Sequence, residues 1–174
     1  LLVTSGRRPA DLKTLYPLHS MAFPDEEELT HLRGYLDSRP VRIGNAAAEQ
    51  RQHDVFGEIL EAVFRSEHLH PGVDHILSGV LRDVVEYVCD IWQEPDHGIW
   101  ELRAEPKHYL YSKVMCWVAI DRGIRLAEEH HWNVDLGRWQ KERAAIHAQV
   151  LDQGYSEKRK SFTQAYGSEI LDAT

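Results

Sequence analysis

The segment between residues 95 and 103, PDHGIWELR, holds the densest group of side chains that could carry chemistry. Trp100 offers a flat apolar face to the C–H side of a sugar ring, and Arg103 and Asp96 can bond sugar hydroxyl groups. A carboxyl group beside an indole, as in Glu101, is partly desolvated, which favours the protonated form that a general acid needs. A buried tryptophan with an incidental arginine–glutamate ion pair is the simpler interpretation, and composition alone favours it.

Four amphipathic helices are predicted to surround this segment, each marked by apolar residues about every 3.6 positions or by a capping residue. They are residues 45–65 with Asn45 as cap, 72–93, 113–131 with Ser112 as cap, and 136–153 between Asp135 as cap and Gly154 as stop. Residues 1–44 are predicted to be irregular, with one short helix in PDEEELTHL at 24–32. No strand-like alternation of useful length is present, so the fold class is predicted to be all-α.

Short and long connections alternate along these helices. In an array of antiparallel helical hairpins, alternate connections lie at the same end. The long segments 33–44, 94–111 and 154–174 are therefore expected at one end, and the short links 66–71 and 132–134 at the other. Such an array would present a site at one end only.

The composition favours a water-soluble globular protein of about one domain. The chain has 174 residues, of which 43% are hydrophobic and 28% charged, and its formal net charge of −8 opposes nucleic-acid binding. No apolar run reaches the length of about 20 residues that spans a bilayer, and the start lacks signal-peptide order, so membrane association is not expected and the predicted location is the cytoplasm. Cys89 and Cys116 fall in apolar helical patterns and are predicted to be buried free thiols, with a disulfide as the alternative.

Four stretches of the chain carry a family resemblance. They are SRPVRIGNAAAEQRQHDVFGEIL at 38–60, PDHGIWELR at 95–103, YSKVMCWVAIDRGIRLAE at 111–128 and SFTQAYGSEILDA at 161–173. In order and spacing they resemble glycoside hydrolase family 15, especially its bacterial glucoamylase-like and trehalase-like members, from about Leu29 onward. The resemblance implies antiparallel helical hairpins forming part of an (α/α)6 barrel. It also implies inverting hydrolysis of terminal α-glucosidic bonds, in trehalose or at α-glucan ends.

The resemblance also implies roles for individual residues. The acid of the family's I/L-W-E motif, which protonates the departing glycosidic oxygen, matches Glu101. Arg39, in the R-P-x-R segment, matches an arginine that reaches sugar hydroxyls near the leaving group. Trp100 would form the floor of the same subsite, and Arg103 follows the acid as in bacterial members. Leu102 stands where fungal relatives carry a second glutamate, so the leaving-group subsite is expected to differ and the preferred α-glucoside stays open.

Inverting hydrolysis needs a second carboxylate that activates water on the opposite face of the sugar. The resemblance places this base on a later segment, for which the chain has no match. The chain is therefore expected to be a central fragment, residues 1–174, of a single catalytic domain, with 1–44 irregular and 45–174 forming hairpins, and to be inactive alone. The alternative is a non-catalytic glucan-binding or regulatory helical module of the same fold. Apolar stripes on the first and third helices of a fragment would favour self-association.

Histidines near the short links suggest a metal site at first sight. They are His68, His70, His75, His130 and His131. A zinc site needs three or four convergent ligands, and these residues lie on turns at the end opposite PDHGIWELR, so neither a metal nor another cofactor is expected. His108 and Lys113 border the PDHGIWELR segment, and whether they tune Glu101 is left open by the sequence.

Overall fold

The computed structural model describes residues 8–17, 25–69 and 72–173, which form two compact units. Residues 13–51 form the smaller unit, and the rest of the chain forms the larger one. The larger unit contains the helices α1 (Asp54–Leu69), α2 (His75–Ile91), α3 (Leu110–Glu129) and α4 (Leu136–Gln153). A 3-10 turn at Pro9–Asp11 precedes them. The predicted all-α class is confirmed, and the helical hairpins are those expected of part of an (α/α)6 barrel.

The smaller unit is held by short strands and turns. Strands β1 (Glu27–Glu28) and β2 (Arg42–Ile43) pair antiparallel, and 3-10 turns occupy Tyr35–Asp37 and Ala46–Glu49. The helix predicted at 24–32 is therefore wrong over residues 25–32. Pro24 lies outside the described residues. The strand is favoured because the carboxylates of Glu26 and Glu28 bind the Arg42 guanidinium at 3.3 and 2.8 Å, across the strand pair.

The first helix begins later than predicted. Asn45 does act as a cap, since its side chain accepts a hydrogen bond from Ala47 N at 2.9 Å, but the element it caps is a 3-10 turn. Gln50 then takes an extended backbone conformation and ends that turn, so α1 starts at Asp54 rather than at 45. The single helix predicted from the sequence at 45–65 therefore corresponds to two elements, a 3-10 turn and α1.

The other helix ends follow the predicted signals more closely. Asp74 and Asp135 cap α2 and α4 through main-chain N–H groups, and Gly154 follows the last residue of α4. Ser112 is not the cap of α3, which begins at Leu110 after Tyr109. Its hydroxyl group instead bonds a carboxylate of the loop between α2 and α3. The strands β3 (Tyr155–Ser156) and β4 (Ser161–Phe162) form a small antiparallel pair after α4.

Contacts between the helices confirm the alternating directions. Pairs in contact run in the same order along α1 and α3, as in Gly57 with Met115, Glu61 with Arg122 and Glu67 with His130. They run in opposite order from α3 to its other neighbours, as in Val85 with Gly123, Trp92 with Lys113, Asp121 with Arg143 and Leu110 with Gly154. The α2–α3 loop (residues 92–109) and the segment 154–173 therefore lie at one end, as predicted.

The core lies between α1, α2, α3 and α4, and α1 makes its most extensive contact with α3. A Cβ atom at Gly57 would lie 2.3 Å from the Met115 carbonyl oxygen, so glycine permits this close approach of the two helices. The apolar stripes predicted to be exposed on α1 and α3 are covered. Within the described side chains of these two helices, Val114 is the exposed large apolar residue. Self-association of the chain stays a prediction.

Both thiols are buried in this core, and the prediction of free cysteines is confirmed. Burial raises the pKa of Cys89 and of Cys116 to about 12, so neither forms a reactive thiolate near neutral pH. At the short-link end, the buried carboxylate of Glu67 accepts hydrogen bonds from Gly72 N and Val73 N. His70 lies outside the described residues. None of the described helices has the length and apolar character that a membrane span requires.

Candidate active site

The α2–α3 loop is closed at its base by main-chain and side-chain bonds. Asp96 and Lys107 exchange two backbone hydrogen bonds of 2.9 and 2.8 Å. The residues between them therefore form a loop whose two ends are bonded to each other. The Asp96 carboxylate is 1% exposed, and its Oδ2 accepts from Ser112 Oγ at 2.7 Å and from His53 N at 3.0 Å. Asp96 was predicted to bond sugar hydroxyls, but its burial makes it the anchor that ties the loop to α3 and to the residue before α1.

A fully buried lysine holds the start of the same loop. The Lys113 ammonium group donates hydrogen bonds to the carbonyl oxygens of Trp92 and Glu94, at 2.5 and 2.6 Å. Desolvation lowers the pKa of Lys113, and the two carbonyl oxygens accept from two of the three N–H donors of its ammonium group. The described contacts of Lys113 therefore serve the base of the loop. His108 stacks on Tyr166 with ring centroids 5.9 Å apart, and burial, with a smaller effect of Lys113, lowers the pKa of His108.

The tip of the loop, residues 98–103, has a constrained backbone. Gly98 has φ +66°, and a Cβ atom there would lie 2.9 Å from the buried ring of Tyr109. Glu101 has φ +49°, a left-handed conformation that a residue with a side chain adopts at a cost of about 1 to 2 kcal/mol. Such conformations persist where the surroundings fix them, and they concentrate at functional sites.

Three of the four predicted site residues lie together on this tip. Trp100, Glu101 and Arg103 are all exposed, and Trp100 is 49% exposed. No hydrogen bond or ion pair of the Glu101 carboxylate is found within the described part of the chain. The indole Nε1 of Trp100 donates to Asp172 Oδ1 at 2.9 Å and to Oδ2 at 3.2 Å, which leaves the ring half open to solvent.

Arg39, the fourth predicted residue, belongs to the unit of residues 13–51. Its guanidinium Nε lies 3.4 Å from Asp37 Oδ1, and both side chains are exposed. Within its unit, Arg39 lines a cavity of about 400 Å³ together with the strand β2 residue Arg42 and with Glu28. Arg39 thus has a polar environment with carboxylates of its own unit.

A second cavity lies beside the α2–α3 loop. It has a volume of about 350 Å³ and is lined by Leu110, Tyr111, Val114, Ser161, Phe162, Thr163, Gln164 and Asp172. The Tyr111 hydroxyl donates to Glu58 Oε1 at 2.7 Å, and burial, followed by that carboxylate, raises the pKa of Tyr111 to about 12. Asp172 connects this cavity to the loop because the same carboxylate accepts the Trp100 indole bond.

The contact of Asp172 with Trp100 has no signal in the sequence. The residue lies within the stretch SFTQAYGSEILDA, but it is 72 positions from Trp100, and no local periodicity relates the two. Lys113 offered a better signal, because it falls three and seven positions before Cys116 and Ile120 on the buried face of α3. A lysine in phase with core residues indicates an internal role.

Asp54 supplies a pH-dependent element at the start of α1. It is buried, its Oδ1 has no hydrogen-bond partner in the described structure, and burial together with the charges of Asp96 and Glu58 raises its pKa from 3.8 to about 6. The folded state therefore prefers protonated Asp54. The stability that comes from this preference for the protonated carboxyl group is fully present below about pH 3.8 and is lost as the pH rises through about 6.

Replacing Asp54 by Asn should consequently stabilise the protein more at alkaline than at acidic pH. We expect the gain in free energy of unfolding to grow by about 1 to 2 kcal/mol between about pH 4.5 and about pH 8, from the linkage of a shift of roughly two pKa units. Urea unfolding at the two pH values measures it. Asp83→Asn, at an exposed carboxylate of α2, is the control. An Asp54→Asn gain that is independent of pH would contradict the assignment.

The exposed tip combines the functions that a sugar site needs. Trp100 can stack on a pyranose ring, Arg103 can bond hydroxyl groups, and Glu101 can deliver a proton to an oxygen held beside the indole. Among the residues that the structure describes, no group of three His, Cys, Asp or Glu side chains could hold a metal ion. The chemistry available from these side chains is proton transfer and carbohydrate binding.

Comparison with known proteins finds relatives that match most of the chain. The model of the family described as "Glycosyl hydrolases family 15" matches residues 7–174. A protein named trehalase from Mycolicibacterium smegmatis is 47% identical over 149 residues, which is 86% of this chain and 22% of that protein. A trehalase from Mycobacterium tuberculosis gives the same values.

More distant relatives carry the same name. A trehalase from Thermoplasma volcanium is 40% identical over 152 residues, which is 85% of this chain and 24% of that protein. The chain therefore spans about a quarter of the length of the curated relatives it matches. No solved structure matched the chain.

Proposed function

Because this chain belongs to family 15 of the glycosyl hydrolases, we propose that it is part of a catalytic domain that hydrolyses the α-glucosidic bond of trehalose with inversion. The observation that carries the proposal is the 47% identity to proteins named trehalase over 86% of the chain. The matched region includes the α2–α3 loop, on which an exposed carboxylate, indole and guanidinium lie within four residues. Trehalose is favoured over α-glucan ends because the relatives named above are trehalases.

In this proposal Glu101 is the general acid. Its carboxyl proton passes to the glycosidic oxygen while the bond between that oxygen and the anomeric carbon breaks, so the departing glucose leaves as a neutral alcohol. The closed base of the loop at Asp96 and Lys107 and the left-handed backbone of Glu101 keep the carboxyl group at a defined position. Trp100 stacks on the sugar and Arg103 bonds its hydroxyl groups, while a sugar-binding role for Arg39 stays a prediction.

The second half of the reaction needs a carboxylate that removes a proton from water as its oxygen attacks the anomeric carbon. In inverting enzymes this base lies about 6.5 to 9.5 Å from the acid, across the sugar. We assign no residue of this chain to the base, and we place it on a part of the catalytic domain that this chain does not contain. The 174 residues alone are then expected to bind weakly and to release no glucose.

The configuration of the released glucose tests the proposed reaction. Trehalose joins two glucose units through their α-anomeric carbons. Inversion at one carbon gives β-glucose, while the departing unit keeps its α configuration, so equal amounts of both anomers should appear first. Proton NMR of trehalose mixed with the full-length gene product that carries this chain measures the two anomeric signals before they equilibrate, with free α-glucose in the same buffer as the control for spontaneous mutarotation.

Two outcomes would contradict the proposal in different ways. Early release of α-glucose alone would show retention and would exclude the inverting mechanism. Absence of glucose from trehalose, with release from short α-glucans, would move the substrate to α-glucan ends. Binding of glucose-type inhibitors without hydrolysis of either substrate would favour a non-catalytic glucan-binding module.

A further inference from the structure

The Trp100 indole is held by a carboxylate from a distant part of the chain. Its Nε1 donates to both oxygens of Asp172, at 2.9 and 3.2 Å, and charge-assisted hydrogen bonds of this kind are about twice as strong as neutral ones. Trp100 is the residue immediately before Glu101. Any restraint on the indole therefore acts on the peptide that carries the carboxylate.

The segment that leads to Asp172 is fixed relative to the start of α3. The segment around Gln164 and Tyr166 is tied to the end of the α2–α3 loop by Leu110 N bonding Gln164 O at 2.9 Å and Tyr166 N bonding His108 O at 3.0 Å. The chain then turns back, since Gln164 N donates to the Ile170 carbonyl at 2.8 Å. This closed turn ends two residues before Asp172.

The loop is thus held at two places with different roles. Asp96 and Lys113 fix its base through buried bonds to His53, which precedes α1, to α3 and to the end of α2. At the tip, the Trp100 indole bonds a residue outside the loop, Asp172. That bond therefore adds a restraint on the residue next to Glu101, whose backbone is left-handed.

We infer that Asp172 is a positioning residue for the acid, which acts by holding the Trp100 indole and through it the Trp100–Glu101 peptide. The inference rests on the proposed function and adds a residue to it. Asp172 touches the indole and lines the neighbouring cavity of about 350 Å³, and its effect on the reaction passes through Trp100. The indole keeps one face for the sugar while its polar edge is occupied by the carboxylate.

Indole N–H resonances test the contact without any substrate. The full-length protein that carries this chain is labelled with ¹⁵N-tryptophan, and the Trp100 signal is identified by its loss in Trp100→Phe. Asp172→Ala should move that signal upfield, because the carboxylate acceptor is removed. Asp152→Ala, at an exposed carboxylate of α4, should leave it in place. A Trp100 signal that is unchanged in Asp172→Ala overturns the inference.

Kinetics with two substrates test the positioning role. Asp172→Ala should lower kcat for trehalose about 10- to 100-fold, because a displaced acid loses catalytic contribution. It should lower kcat for α-glucosyl fluoride less than about 3-fold, because fluoride departs with little help from an acid. Asp172→Asn keeps an oxygen acceptor for the indole and should recover most of the trehalose activity. Equal losses on both substrates overturn the inference.

A double variant distinguishes action through Trp100 from an independent effect. In the Trp100→Phe background no indole bond exists, so Asp172→Ala should cause no further loss of kcat for trehalose. A full additional loss overturns the inference. If the unmodified protein hydrolyses neither trehalose nor α-glucosyl fluoride, the proposed function fails and the positioning role fails with it. An unchanged indole signal in an active enzyme removes the positioning role alone.

Discussion

Glu101→Gln is expected to lower the rate of trehalose hydrolysis by the full-length gene product at least about 100-fold, the smallest loss typical for removal of a general acid. Glutamine has nearly the shape of glutamate and preserves the exposed, left-handed tip, but its amide cannot deliver a proton. The departing glucose would then leave as an alkoxide. Initial rates of glucose release, compared at equal protein concentration, measure the effect.

Two comparisons separate the loss of an acid from damage to the loop. Glu105→Gln, at an exposed carboxylate of the same loop, should keep near-normal activity. With α-glucosyl fluoride, Glu101→Gln should retain most of the unmodified rate, since this leaving group needs little protonation. Near-normal trehalose hydrolysis by Glu101→Gln, or an equal loss with the fluoride, would exclude Glu101 as the acid.

Elements with strong local signals could be predicted from the sequence. The helices α2 and α4 have clear 3.6-residue periodicity or a strong cap, and Asp135 and Gly154 mark the ends of α4 as expected. The common end of the α2–α3 loop and the segment 154–173 followed from connection lengths alone. Local hydrogen-bonding chemistry determines these features, and local chemistry is what a sequence pattern contains.

Features that depend on distant partners could not be predicted. Ser112 resembles a cap, but its hydroxyl group bonds Asp96, and α3 starts three residues earlier than predicted. The acidic stretch at 24–32 has helix-forming residues, yet Arg42 draws its carboxylates into a strand pair. In both cases a hydrogen bond or an ion pair with a residue distant in sequence outweighs local preference, because propensities amount to less than about 1 kcal/mol per residue.

The site shows the same division. Trp100, Glu101 and Arg103 are adjacent in sequence, so their grouping on one exposed tip was predictable. Asp96 lies in the same stretch, and its residue type alone suggested that it bonds sugar hydroxyl groups. Its burial depends on residues 16 and 43 positions away, which bring it to the interior. A carboxylate's partners therefore decide whether it binds substrate or anchors the loop that does.

Asp96→Ala should destabilise the protein and impair the site together. The substitution leaves the Ser112 hydroxyl and the His53 N–H without the acceptor they share, in a region where both residues are buried. Each orphaned buried donor costs about 1 to 3 kcal/mol, partly offset because a buried carboxylate is also removed. We expect a loss of about 2 to 4 kcal/mol in the free energy of unfolding, measured by urea denaturation.

Comparing Ser112→Ala with Asp96→Ala tests whether the loss of stability also affects catalysis. Ser112→Ala removes one donor and keeps the bond from His53 N to Asp96, so it should cost less than Asp96→Ala. Where both variants are fully folded, Asp96→Ala should reduce trehalose hydrolysis more than α-glucosyl fluoride hydrolysis, because the freed base of the loop displaces the acid. A destabilised Asp96→Ala protein with unchanged trehalose kcat would show that the tip keeps its geometry without this anchor. The closed base would then serve folding alone, and the position of Glu101 would depend on the tip contacts.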